Sequence, residues 1–171
     1  MHKQILRTLR FAALAVAFFG TSAAIAGPQE ELNKSLARRV YEEGLNQGIF
    51  TVPYTKDFIG HAGKSTFTRE AGMAEAKGWR QAFPDLKMNV DLIVAENDLV
   101  AVRWNATGTN TGTGNGLPAT GKFVKVSGQA TFRFEDGKIA EEWALGDTLG
   151  IMRQLGLLQQ GVVPILRPAH R

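Results

Sequence analysis

The sequence predicts an α+β fold in which an antiparallel sheet is covered by helices on one face. Three observations predict it. Helical periodicity dominates the first part of the chain, apolar and polar residues alternate from Leu86 onward, and turn residues separate the alternating runs. Because the strands follow one another as hairpins, the chain lacks the alternation of strand and helix that builds a parallel sheet.

Residues 1–26 have the layout of a secretory signal peptide. A basic start precedes an apolar run from Phe11 to Gly20, and Ala24-Ile25-Ala26 forms a cleavage site of the small-x-small type. The run is too short to span a bilayer, although an uncleaved anchor is the alternative interpretation. We therefore expect a periplasmic or secreted protein without stable membrane insertion after cleavage. Residues 27–171 would form one domain, with a core over 29–156 and a tail over 157–171.

Composition and charge exclude several functional classes. The 171 residues include no Cys, which excludes a disulfide-stapled miniprotein, a thiol enzyme and a Cys-ligated metal site. Cleavage after Ala26 removes three of the 20 Lys and Arg residues and none of the 16 acidic ones, so the net charge falls from +4 to +1. Such a balance provides no basic surface for nucleic acid or an anionic membrane, and we predict neither partner.

Two helices are predicted before the sheet. Apolar residues recur every four positions from Gln29 to Gln47, which indicates an amphipathic helix. Thr68 is a suitable cap for a second helix that ends at Phe83, because Pro84 cannot continue it. The stretch between them, residues 49–63, is predicted to be irregular with a short helical turn.

Four strands and a short helix complete the predicted elements. Turns at Asn97-Asp98 and at residues 135–137 separate strands that alternate with period two. Thr148 is the predicted cap of a short last helix that runs through Leu155 and stops at Gly156. The predicted strands cover residues 86–94, 100–107, 122–134 and 138–145.

Three familiar site motifs are absent or out of place. The Gly-rich segment Gly108–Gly121 joins two strands and opens no helix, so a hairpin loop is favoured over a phosphate-binding loop. After cleavage the only histidines are His61 and His170, without the HxH or HExxH spacing of a metal site, and we predict none. No GxSxG motif accompanies His61, which disfavours a Ser-His-Asp hydrolase.

Carboxylates near the last strand are the candidate catalytic groups. An acid among apolar side chains is desolvated, which raises its pKa and suits it to proton transfer. Asp147 has an alternative role as the cap of the following helix, through the amide of Leu149 or Gly150. Provided that no bulge interrupts the strand, alternation places five residues on one face: Ile139, Glu141, Trp143, Leu145 and Asp147.

Glu141 and Glu142 are adjacent and should therefore face opposite sides of that strand. One of them is expected to be solvated, and the other to pair with Arg103 or Arg133. His61 would lie at the mouth of a pocket or be an ordinary surface residue. Aromatic residues at periodic positions belong either to a ligand cavity or to the core: Tyr41, Tyr54, Trp79 and Trp104.

Six motifs follow one another along the second half of the chain: AFPDL (82–86), VAVRW (100–104), GTNTG (108–112), GLPATGK (116–122), FRFEDGKIAEEW (132–143) and D..G..RQLG (147–156). As an ordered set they resemble the SnoaL-like polyketide cyclases, also called ester cyclases, of the nuclear-transport-factor-2-like superfold. The resemblance implies a cone-shaped fold, in which a strongly curved antiparallel sheet wraps around N-terminal helices and encloses an apolar pocket. It also implies a homodimer.

Characterised members of that family close a ring by an intramolecular aldol reaction, without a metal or cofactor. The resemblance matches Asp147 to a family Asp before the last helix. It places the acting Asp of the cyclases at Ala144 and the facing His at Ala130, and the His of their GTHxG segment is Asn110 here. The resemblance therefore extends to the fold more fully than to the catalytic side chains.

The sequence-based hypothesis is an exported SnoaL-like domain whose apolar pocket acts on, or binds, a small and partly apolar carbonyl compound. As an enzyme it would be a cyclase or isomerase of acid/base type, without a cofactor. The alternatives are a non-catalytic periplasmic binding module for a hydrophobic ligand and a structural dimer. The candidate catalytic residues are Asp147 and His61, and the candidate ligand-binding residues are Trp79, Arg103, Trp104, Asn110 and Trp143.

Overall fold

A computed structural model describes residues 27–158. The predicted signal peptide and most of the predicted tail lie outside the described residues. The elements in chain order are α1 (Pro28–Arg39), a π-helical segment (Val40–Leu45), β1 (Tyr54–Ala62), β2 (Ser65–Phe67), α2 (Arg69–Ala82), β3 (Lys87–Glu96), β4 (Leu99–Thr109), β5 (Phe123–Glu135), β6 (Lys138–Gly146) and α3 (Thr148–Leu155).

Both predicted N-terminal helices are confirmed, and a side chain accepts a hydrogen bond from a backbone amide at the start of each. The Glu30 carboxylate accepts a hydrogen bond of 2.7 Å from the Gly27 N–H, which satisfies one of the free amides at the start of α1. The Thr68 hydroxyl accepts one of 3.3 Å from the Ala71 N–H and caps α2 as predicted. Within residues 27–158, no helix combines the length and apolar character needed to cross a membrane.

The strands form one curved six-stranded sheet in the order β2-β1-β6-β5-β4-β3, which confirms the α+β class. Neighbouring strands are antiparallel except β1 and β6, which run parallel, so the sheet is mixed. The prediction of an irregular stretch over residues 49–63 was wrong, because that stretch contains β1. Its pairing with β6 shifts between Tyr54 and Ile59, and this irregularity breaks the alternation by which a strand is recognised in sequence.

One face of the sheet, the inner face, packs against α1 and the π-helical segment. Leu36 and Ala37 of α1 join the same buried cluster as Val100, Phe132 and Ile139 of the sheet. A second buried cluster joins α2 and α3 to the neighbouring part of the sheet. The opposite, outer face bears side chains that stay at least partly exposed.

A β-bulge near the start of β6 decides which of its side chains reach the inner face. Arg133 of β5 pairs with Glu141, and the next residue, Phe134, pairs with Ile139, so Ala140 is an extra residue without a partner. The bulge places Glu142 on the same face as Ile139, and Glu141 on the other. The predicted common face of Ile139, Glu141 and Trp143 was therefore wrong.

Candidate functional site

A cavity of about 330 Å³ lies between the helices and the inner face of the sheet. Its volume is in the range of small-molecule binding sites. Most of its wall is apolar or aromatic, and the larger side chains that line it include Tyr41, Phe58, Trp79, Phe83, Met88 and Trp104. Such a lining fits a small, partly apolar molecule.

Glu142 is the carboxyl group of β6 on the cavity wall. Its side chain is half-buried, and no Lys, Arg or His nitrogen of residues 27–158 forms an ion pair with it. Burial raises the pKa of Glu142 to about 7, and the negative charge of Glu75 contributes to the rise. A carboxyl group with this pKa exchanges protons readily at neutral pH.

Two tyrosines of the cavity wall are close enough to Glu142 to respond to its charge. Burial raises the pKa of Tyr41 well above its usual value, and the charge of Glu142 raises it further. The pKa of Tyr54 is raised by the same two causes in the same order. Both hydroxyls therefore remain protonated at neutral pH and are available as hydrogen-bond donors.

Trp79 and Trp104, both predicted to contact ligand, lie on the cavity wall. The indole N–H of Trp79 donates a hydrogen bond of 3.1 Å to Glu75 Oε1, which fixes the ring at the edge of the cavity. Trp104 packs over Gly128 of the adjacent strand, where a Cβ atom would lie 2.2 Å from Trp104 Cζ2. Glycine at this position is what allows the indole to lie flat against the sheet.

Asp147 caps α3 and lies outside the cavity lining. Its Oδ1 accepts a hydrogen bond of 2.8 Å from the Gly150 N–H, and the residue is exposed. The structure thus has the capping geometry that was the alternative reading of this residue.

Loss of this cap has a measurable consequence. Asp147→Ala is expected to lower the free energy of unfolding by about 1 kcal/mol, because the Gly150 amide loses its acceptor. Asp147→Asn keeps an acceptor for this amide, so its free energy of unfolding is expected to stay within a few tenths of a kcal/mol of the wild-type value. Urea unfolding measures both, and an Ala variant as stable as the Asn variant would contradict the capping role.

His61, Trp143 and Arg103 lie together on the outer face, away from the cavity lining. The His61 and Trp143 rings stack with centroids 5.2 Å apart. His61 Nε2 is 3.4 Å from Glu141 Oε2 without hydrogen-bond geometry. Arg103 pairs with Asp91 at 3.2 Å.

Glu141 forms the structural ion pair that the sequence predicted for one of the two adjacent glutamates. Its Oε1 accepts hydrogen bonds from Arg133 Nε at 3.0 Å and Nη2 at 2.7 Å. This arrangement lowers the pKa of Glu141, whereas burial raises that of Glu142. The bulge thus assigns opposite roles to two neighbouring residues of the same type.

Asn110 is fully buried beside the cavity and holds the connection between β4 and β5. Its amide group donates to the carbonyl oxygens of Ala82 and Gly112, at 3.0 and 3.1 Å. Its Oδ1 accepts hydrogen bonds from the Thr120 N–H and hydroxyl, at 2.9 and 2.8 Å. All its polar atoms therefore have protein partners, and none points to a ligand.

Two charged residues of the cavity wall, Glu142 and Arg69, were not among the predicted site residues. The pair Glu141-Glu142 was a visible signal, but the bulge that selects Glu142 leaves no trace in the sequence. In residues 27–158, no three His, Asp or Glu side chains cluster closely enough to hold a metal ion.

Residues 35–155 match a family model described as SnoaL-like polyketide cyclase. No curated protein matches the chain. Among solved structures, AclR from Streptomyces galilaeus, described as a candidate hydroxylase, is 27% identical with a TM-score of 0.68, and the match covers 77% of this chain and 85% of AclR. IdmH from Streptomyces antibioticus, described as a candidate polyketide cyclase, is 28% identical with a TM-score of 0.62, over 72% of this chain and 98% of IdmH.

A third structure shows the same fold at lower identity. It is described as a candidate SnoaL-like polyketide cyclase from Jannaschia sp. CCS1, with 24% identity, a TM-score of 0.68 and coverage of 79% of this chain and 99% of its own. The descriptions of AclR and IdmH differ in reaction type, so the fold alone does not select the chemistry.

Proposed function

This chain belongs to the SnoaL-like polyketide cyclase family, and from that premise we propose that its cavity catalyses proton transfer at a carbon beside a carbonyl group. The substrate would be a small, partly apolar carbonyl compound. The observation that carries this proposal is Glu142, a carboxyl group with a pKa near 7 on the wall of an apolar cavity. An environment of this kind strengthens a carboxylate as a base.

In the proposed step, the Glu142 carboxylate takes the proton from the substrate carbon. The electron pair of the broken C–H bond forms the C=C bond of an enolate, and the carbonyl π electrons move onto oxygen. The hydroxyls of Tyr41 and Tyr54 are the neutral donors near Glu142 that can stabilise this oxyanion. The largely apolar lining of the cavity strengthens these hydrogen bonds.

Two outcomes of the enolate are compatible with this arrangement. In a substrate whose enolate is conjugated with a further C=C bond, return of the proton from Glu142 to the γ carbon moves the double bond and isomerises the substrate. Attack of the enolate carbon on a second carbonyl carbon of the same molecule closes a ring, and the resulting alkoxide then takes the proton from Glu142. Both return the carboxyl group to its starting state, so one residue suffices as base and acid.

Deuterium exchange tests the proposal without knowledge of the natural substrate. A panel of apolar ketones and keto esters, including phenylacetone, is incubated in D₂O with the protein, and NMR follows the protons beside the carbonyl. We expect faster exchange with protein than in buffer alone for at least one compound. If no compound in the panel exchanges faster, the catalytic proposal fails.

Non-catalytic binding of a hydrophobic ligand is the second candidate function. It is favoured by Ala144, which lies on the cavity wall, and by Ala130, its direct partner on β5. These are the positions where the family resemblance places the acting Asp and His, and methyl groups cannot transfer protons. Native mass spectrometry of protein purified from periplasm or culture fluid tests it, since a retained small molecule without exchange activity would favour the binding function.

A further inference from the structure

We propose that the cavity contains an anion subsite at Arg69, and that its ligand carries a carboxylate in addition to its apolar part. This inference deepens the proposed function, on which it rests, because it narrows the substrate class of the same cavity from carbonyl compounds to keto acids. It follows from the unusual surroundings of the Arg69 side chain.

Arg69 begins α2, and its side chain forms part of the cavity wall. The guanidinium carbon lies 5.2 Å from the ring centroid of Tyr54, and this cation–π contact holds it against the aromatic wall. The Nε atom is buried and has no hydrogen-bond partner among residues 27–158. A buried donor without an acceptor is costly, so the protein leaves this guanidinium unsatisfied, and the part of the side chain that forms the cavity wall is left for a ligand.

The other half-buried arginines of residues 27–158 all have acceptors. Arg38 and Arg39 pair with carboxylates one helical turn away, and Arg133 pairs with Glu141. Arg80 donates to backbone carbonyls, including that of Leu45 at 2.8 Å. Arg69 differs from these four, since within the described residues its Nε atom has no acceptor and no carboxylate lies within ion-pair distance of it.

No nearby acid takes the place of a ligand. Glu70 follows Arg69 in the chain, but its strongest partners are its own backbone amide and Thr68, and Arg69 has the smallest effect on its pKa. Glu142 and Glu75 line the same cavity, and within the described residues neither forms an ion pair with Arg69. The cation is therefore free to bind a ligand, and a planar guanidinium matches a carboxylate in shape and charge.

A matched pair of probes tests the subsite directly. Fluorescence titration, which uses the cavity residues Trp79 and Trp104, compares 4-phenylbutanoate with 4-phenylbutan-1-ol, an alcohol with the same apolar part. We expect the carboxylate to bind the wild-type protein about tenfold more tightly or better, because a charge-assisted hydrogen bond is gained. Arg69→Met should abolish this preference, and Arg69→Lys should retain part of it.

The control variant is Arg103→Met, which removes an exposed arginine from the outer face and should keep the full preference. Equal affinity of the two probes for the wild-type protein, or no binding of either at millimolar concentration, would overturn the subsite. So would a preference that survives in Arg69→Met. If Arg69→Met does not fold, the subsite is still tested by the affinities of the two probes for the wild-type protein and for Arg69→Lys.

Failure of this inference is distinguishable from failure of the proposed function. Phenylacetone has no carboxylate, so its exchange depends on Glu142 and not on Arg69. Glu142→Gln should lose exchange but keep the probe preference. Exchange without a probe preference would overturn the anion subsite alone.

Discussion

Glu142→Gln is expected to slow protein-catalysed deuterium exchange of phenylacetone, or of the most active compound in the panel, by about 100-fold or more. Glutamine preserves the size and polarity of the side chain but cannot accept the proton, and general base catalysis of this kind contributes about 10²- to 10⁴-fold. NMR in D₂O measures the exchange rate of both proteins under the same conditions.

Asp147→Asn is the matched control for this substitution. It makes the same carboxylate-to-amide change five residues later, at an exposed capping position. Its exchange rate should equal that of the wild type. Loss of exchange in the Asp147 variant with full activity in the Glu142 variant would move the base to Asp147 and contradict the mechanism.

Glu142→Gln is also expected to make the protein more stable above neutral pH. The pKa of Glu142 is raised from its ordinary value of 4.5 to about 7 by burial, so the folded protein holds this proton more tightly than the unfolded chain does. Between these two values folding takes up a proton, and the stability of the wild type falls as the pH rises. The Gln variant does not experience this loss.

Urea unfolding at pH 4.5 and pH 8 measures the effect. At pH 8 the Gln variant should exceed the wild type by about 1–3 kcal/mol, a range that allows for the partial solvation of a half-buried group. At pH 4.5 the difference should shrink, because Glu142 is then protonated in the folded state. Glu96→Gln, at the exposed end of β3, is the control for the same substitution outside the cavity. An equal stability difference between Glu142→Gln and the wild type at both pH values would contradict the raised pKa of Glu142.

The elements that could be predicted from sequence are those specified by local patterns. Thr68 caps the start of α2, and Pro84 prevents the helix from continuing. In the strands from β3 to β6, apolar and polar residues alternate clearly enough for the strands to be recognised. β1 could not be predicted in this way. Its partners lie far along the chain in β6, and the irregular pairing after Tyr54 disrupts its alternation.

The candidate site depended on one feature with no local signature. Because Ala140 is one extra residue in β6, every later side chain of the strand lies on the face opposite to the one that strict alternation predicts. Strict alternation therefore placed Glu141, and not Glu142, on the same face as Ile139. The position of Arg69 depends likewise on how α2 packs over β1. Trp79 and Trp104 were recognisable as cavity candidates because large aromatic residues at periodic positions point inward in either case.

The most direct test of the central claim is a pH titration of the Glu142 carboxyl carbon by ¹³C NMR, in protein labelled at the glutamate side-chain carboxyl groups. The signal is assigned by its absence in Glu142→Gln. The structure predicts a midpoint near 7, as expected for a carboxyl group desolvated on the cavity wall. A midpoint near the ordinary value of 4.5 would show a solvated carboxylate and contradict its role as the base of this site.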